Sequence, residues 1–132
     1  MQINLKFKDV KGIVDTHGGE LVSFQDKNGK EYIWCGDPAF WSGRNPNLFP
    51  IVGSLKDGKT VISGNVYEMG RHGFARNSDY AVIDQGEDYV VFELTENEAT
   101  LKYYPFKFSF QVIHRLQDNG FVTEYRVTNT GD

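Results

Sequence analysis

The sequence predicts an all-β fold, an antiparallel β-sandwich with almost no helix. Three observations carry that prediction. Apolar and polar residues alternate with a period of two through much of the chain. Asn28-Gly29 and Asn119-Gly120 sit between such runs, and both positions of that dipeptide tolerate the positive φ of a tight hairpin. No stretch sustains a 3.6-residue apolar period. The aromatic residues agree, since 10 Phe and 7 Tyr favour pleated, half-buried surfaces over helices.

The elements follow in order. Ile3, Leu5 and Phe7 alternate with Asn4, Lys6 and Lys8, which makes a half-buried first strand. ELVSFQD (20–26) and KEYIW (30–34) flank Asn28-Gly29 and predict a hairpin. SDYAVID (78–84) and DYVVFEL (88–94) read as further strands. The clearest pair comes last. Phe106, Phe108, Phe110 and Val112 share one face, with Lys107, Ser109, Gln111 and Arg115 opposite. The chain then returns through Phe121, Thr123, Tyr125 and Val127. Residues 35–76 break this pattern with Pro38, Pro46, Pro50 and frequent glycine, and a long irregular segment among regular strands is more often functional than decorative.

Composition narrows the function. At 132 residues the chain has the size of one compact domain, and residues 1–132 are read as one sandwich unit. A net charge of -4 gives no general attraction to nucleic acid or to an anionic membrane. The single cysteine, Cys35, cannot form an internal disulfide. With no apolar run long enough for a membrane span or signal peptide, the expected location is the cytoplasm. The final strand-like run stops at Asp132 without a cap, and strand edges need partners, so the chain is expected to belong to something larger.

Among candidate sites, Gly53 to Thr60 formally matches the phosphate-loop pattern G-x-x-x-x-G-K-T. That pattern needs a helix to follow, whereas Val61, Ile62, Ser63 and Gly64 favour a strand and a turn, so the match is read as coincidence. His114 continues the apolar face of Phe106 to Val112 and reads as a satisfied core histidine; His17 reads as an exposed turn residue. His72 has the best chemical setting, inside GRHGFAR (70–76) with Arg71 and Arg76 beside it. Nearby cations favour the neutral imidazole, which both donates and accepts a hydrogen bond. The same residues also read as a solvated turn. No histidine or cysteine spacing suggests a metal site. Trp34, Phe40, Trp41 and Phe49 could stack on a sugar ring or could cap the end of the sandwich.

Four longer motifs stand in order along the chain: W-x-x-x-x-P-x-L-F-P-I-V-G from Trp41, H-G-F-A-R from His72, Y-P-F-x-F from Tyr104, and the closing V-x-N-x-G-D. Together they resemble the aldose 1-epimerase (galactose mutarotase-like) family, and its LacX-like bacterial subgroup in particular. The resemblance implies a two-layered β-sandwich with a sugar cleft, and interconversion of the α and β anomers of an aldose or hexose phosphate without a cofactor. It implies that His72 meets the sugar near its ring oxygen and that Arg76 binds an anionic or hydroxyl-rich end. Arg44, Arg71, Phe74 and Trp41 are the remaining expected substrate contacts. Phe49-Pro50-Ile51 stands where the galactose branch carries Asn-Arg-Ile. Family enzymes are longer, and their second histidine and glutamate base lie beyond the part matched here. The expectation is therefore an N-terminal portion, inactive alone, that self-associates or lacks its companion half. The competing reading is a non-catalytic carbohydrate-binding module.

Overall fold

The computed structural model describes all 132 residues, Met1–Asp132. The first sheet is antiparallel, with β1 (Gln2–Phe7), β2 (Val10–Asp15) and β3 (Glu20–Gln25) in sequential order. A small hairpin follows, β4 (Lys59–Ile62) with β5 (Asn65–Glu68). The larger sheet runs β6 (Ala81–Gln85), β7 (Tyr89–Thr95), β8 (Phe108–Gln117) and β9 (Gly120–Asn129), again in sequential order. The only α-helix, α1 (Glu98–Tyr103), joins β7 to β8.

The two larger sheets bury the residues that the alternation assigns to their inner faces. Leu5, Val14, Leu21 and Phe24 from the first meet Val90, Phe92, Phe110, Val112 and Leu116 from the second in one core. Burying each such side chain stabilises the fold by about 1.5–3 kcal/mol, which supplies the main drive for the sheets to stack. Register keeps the faces matched, with Phe92 opposite Val112 and Leu94 opposite Phe110. The sheets approach closely at Gly12, where a Cβ would lie 3.1 Å from Leu116 Cδ2.

His114 sits at this interface as expected, almost fully buried, with Nδ1 2.9 Å from Thr123 Oγ1 and Nε2 2.8 Å from the Gly19 carbonyl. Burial pushes its pKa down, against the Gly19 hydrogen bond. His17 is an exposed turn residue paired with Asp79. Gly58 and Lys59 lead into β4 rather than a helix, after a single 3-10 turn over Lys56–Gly58.

Three expectations need correction. KEYIW is not the second strand of a hairpin; beyond the Asn28-Gly29 turn it makes one bridge, Gln25 to Glu31. Main-chain pairing ends after the bonds from the Asp26 amide to the Lys30 carbonyl and from the Tyr32 amide to the Phe24 carbonyl. The Glu31 carboxylate also accepts from Ser23 Oγ and from the amides of Phe24, Tyr32 and Ile33. Phe106 lies outside β8 and is 42% exposed. Finally, β9 carries little core, because Val122, Tyr125 and Val127 are exposed on the sheet's edge strand.

Candidate functional site

The site is built where two irregular segments meet. The Phe49 carbonyl accepts hydrogen bonds from the amides of Phe74 (3.0 Å) and Ala75 (3.1 Å), and the His72 amide donates to the Gly53 carbonyl at 2.8 Å. Gly73 is required at this crossing. Its φ is +70°, and a Cβ would lie 2.3 Å from the Phe49 oxygen. The Phe49 ring stacks on Phe110 at 4.5 Å and meets Phe74 edge-on, which anchors both segments to the core. F-P-I-V-G and H-G-F-A-R are thus two sides of one joint.

His72 occupies the turn at φ +65°, a conformation unusual for a side-chain-bearing residue. Its ring is half-buried. Nδ1 lies 2.8 Å from the Gly53 amide, which donates to it, while Nε2 lies 3.2 Å from Arg71 Nε. Loss of hydration, then the charges of Arg71 and Arg76, push its pKa down, which favours the neutral imidazole. Arg76 reaches back to donate from Nη2 to the Arg71 carbonyl at 3.3 Å, and its Nε is buried with no hydrogen-bond partner. Neither arginine forms an ion pair. The arrangement is a neutral imidazole beside two uncompensated cations, able to exchange hydrogen bonds with hydroxyls and to attract an anion.

The other predicted contacts lie elsewhere. Phe74 packs among Phe49, Tyr104 and Phe108, so its ring supports the joint from the core side. Arg44 is exposed and donates from Nη1 to the Val22 carbonyl at 3.1 Å, which pins its loop to β3. The next residue, Asn45, donates its amide to the Glu20 carboxylate. Trp41 is 52% exposed, and its carbonyl accepts from Trp34 Nε1. Neither Arg44 nor Trp41 hydrogen bonds to the His72 loop.

Two positions escaped the sequence reading. Asn47 is buried, donates to the Gly18 and Gly19 carbonyls, and accepts from the Tyr125 hydroxyl, so it ties the irregular segment to both sheets. Gly53 contributes through its main chain. For Asn47 a signal existed, since a polar residue flanked by Pro46 and the apolar Leu48-Phe49 pair invites burial with bonded partners.

Comparison with known proteins bears on the fold and the family. The model of the aldose 1-epimerase family matches residues 1–132. Protein LacX (plasmid) of Lactococcus lactis subsp. lactis is 34% identical over 134 residues, covering 98% of this chain and 45% of LacX. The galactose mutarotase related enzyme of Lactobacillus acidophilus superposes with a TM-score of 0.96 at 36% identity, covering 100% of this chain and 44% of that one. A galactose mutarotase-like protein of Lactobacillus casei ATCC 334 gives 0.95 at 34% identity, covering 99% and 45% respectively. The chain thus spans under half the length of these relatives. With a match over every residue, and the family's fold reproduced around the joined F-P-I-V-G and H-G-F-A-R segments, the chain belongs to the aldose 1-epimerase family.

Proposed function

We propose that this chain supplies the sugar-orienting part of an aldose 1-epimerase site, with His72 meeting the ring oxygen and Arg76 the far end of the sugar or a phosphate on it. The observation that carries this reading is the half-buried His72, bonded through Nδ1 to the Gly53 amide and set beside two arginines that lack acidic partners. Mutarotation needs one group to take the proton from the anomeric hydroxyl and another to supply a hydrogen bond or proton to the ring oxygen. The C1–O5 bond then opens, C1 turns its other face, and the reverse transfers close the ring. Each positioned proton transfer is worth about 10²–10⁴-fold.

No carboxylate hydrogen bonds or ion-pairs with His72, Arg71 or Arg76. The chain therefore supplies one of the two required groups, and we expect it to bind a sugar without appreciable turnover by itself. That same feature favours the second reading, a carbohydrate-binding module. Titrating the ¹⁵N-labelled chain with glucose, galactose and glucose 6-phosphate tests both. Shifts at Gly53, His72 and Arg76 are expected, and the sugar reading fails if those signals stay fixed. Exchange spectroscopy on the same samples should show anomer exchange no faster than in buffer. Clear catalysis would overturn the division of labour.

A further inference from the structure

We propose that the main-chain amide of Gly53 is a positioning group for His72, holding the imidazole in its Nε2–H tautomer so that the nitrogen beside Arg71 meets a sugar as a hydrogen-bond donor. The inference rests on the reading of His72 as sugar-facing and adds which atom carries the proton.

The geometry is a reciprocal pair. The His72 amide donates to the Gly53 carbonyl, and the Gly53 amide donates to His72 Nδ1, each at 2.8 Å. A neutral imidazole has one in-plane lone pair and one N–H. The Gly53 N–H claims the lone pair for Nδ1, which leaves the proton on Nε2. Arg71 Nε, at 3.2 Å from Nε2, is also a donor and would favour the opposite tautomer. Both donors cannot be satisfied at once. The Gly53 bond is shorter and partly buried, and it joins two backbone segments already fixed by the Phe49–Ala75 and Phe49–Phe74 bonds. Arg71 is exposed, on a flexible stem, and is the partner that yields.

The chemical consequence is selective. A ring oxygen has lone pairs and no proton, so it bonds only to a donor. The Nε2–H tautomer can engage it, whereas an unprotonated Nε2 could only accept from a hydroxyl. Gly53 thus decides which kind of sugar oxygen His72 prefers, and an incoming oxygen relieves the unfavourable approach of Arg71 by displacing it.

The backbone explains why glycine stands here. Gly53 has φ +81°, and nothing lies within 4 Å of the place its Cβ would take. Space is open and only the backbone conformation is restricted. Asn tolerates left-handed φ; a β-branched residue does not.

The test uses the ¹⁵N-labelled chain. In the unsubstituted protein His72 Nδ1 should resonate as unprotonated and Nε2 as protonated, with a scalar coupling across the hydrogen bond from the Gly53 nitrogen to Nδ1. Gly53→Asn should keep this signature. Gly53→Val should lose the coupling and move the proton toward Nδ1, with the buried His114 ring signals reporting that the fold persists. Arg71→Met should leave the tautomer unchanged. A protonated Nδ1 or an absent coupling in the unsubstituted chain overturns the proposal, whatever the variants do. So does a folded Gly53→Val chain that retains the Nε2–H form. If the tautomer is as stated but sugars leave His72 signals unmoved, the positioning stands and the sugar reading falls.

Discussion

The two-sheet core and the irregular segment from residue 26 to 58 are held together in different ways. The core relies on burial, with Val14, Leu21, Val90, Phe92 and Val112 leaving no accessible surface. The irregular segment has one buried side chain, that of Asn47, and is fixed by hydrogen bonds from side chain to main chain. Asp26, Glu31, Asp37, Arg44 and Asn47 each bond a backbone group. Burial is non-directional and tolerates any apolar shape that fits. Hydrogen bonds to specific amides impose direction, which is what a site needs. The molecule separates the two tasks, and substitutions should separate them too.

The largest effect is expected in the core. Phe92→Ala removes a fully buried ring opposite Val112 and should cost about 3–5 kcal/mol, read by chemical denaturation. A loss below that range would mean the sheets repack easily and that the contrast is overdrawn.

In the irregular segment Glu31→Ala should cost less, about 1 kcal/mol, because it removes the carboxylate that accepts from Ser23 Oγ and the Phe24 and Ile33 amides at an exposed position where water can replace it in part. The carboxyl also sharpens the comparison through pH. Partial burial raises its pKa, but hydrogen bonds from Ser23, Ile33, Phe24 and Tyr32 more than offset this, and the net value is lowered. A lowered carboxyl pKa stabilises the fold above its ordinary value of 4.5 and loses that contribution as pH falls through the native value. The difference between the parent chain and Glu31→Ala should therefore be full at neutral pH and shrink in acid, whereas the Phe92→Ala difference should not. Parallel titrations of both variants would show whether the two regions depend on different physics.

The same division explains what the sequence disclosed. Alternation exposes burial directly, so β1, β3, β7 and β8 were legible, as was the core role of His114. The strand expected at KEYIW failed because pairing stops after two main-chain bonds and the Glu31 carboxylate gathers the neighbouring amides, which no periodicity records. β4 and β5, four residues each, are too short for a pattern, and α1 is only six residues long. β2 has Gly12 in the middle of its inward face and so shows no unbroken apolar alternation. The start of α1 is set by Asn97 and Thr100 capping each other reciprocally, a local signal that needs no apolar period. At the site His72 was legible as a chemical side chain, while Gly53 was not, since its part is played by an amide common to every residue but proline.

Trp41 gives the smallest expected change in stability and the most direct test of separation. It is 52% exposed and outside the core cluster. Its hydrogen bonds, from its amide to the Asp37 carbonyl and from Trp34 Nε1 to its carbonyl, use its main chain and survive substitution. Trp41→Ala should shift unfolding by no more than about 0.5 kcal/mol, the usual range for exposed positions free of special contacts. A sugar platform loses affinity when its aromatic face is removed, however, because the apolar face of the ring then stays hydrated. Comparing sugar titrations of Trp41→Ala and the parent chain distinguishes the roles. An unchanged fold with weakened binding places Trp41 in the sugar cleft. Unchanged binding confines that cleft to the His72 joint and leaves Trp41 a surface residue. A stability loss of 2 kcal/mol or more would instead make Trp41 part of the packing and erase the distinction between the two regions at that position.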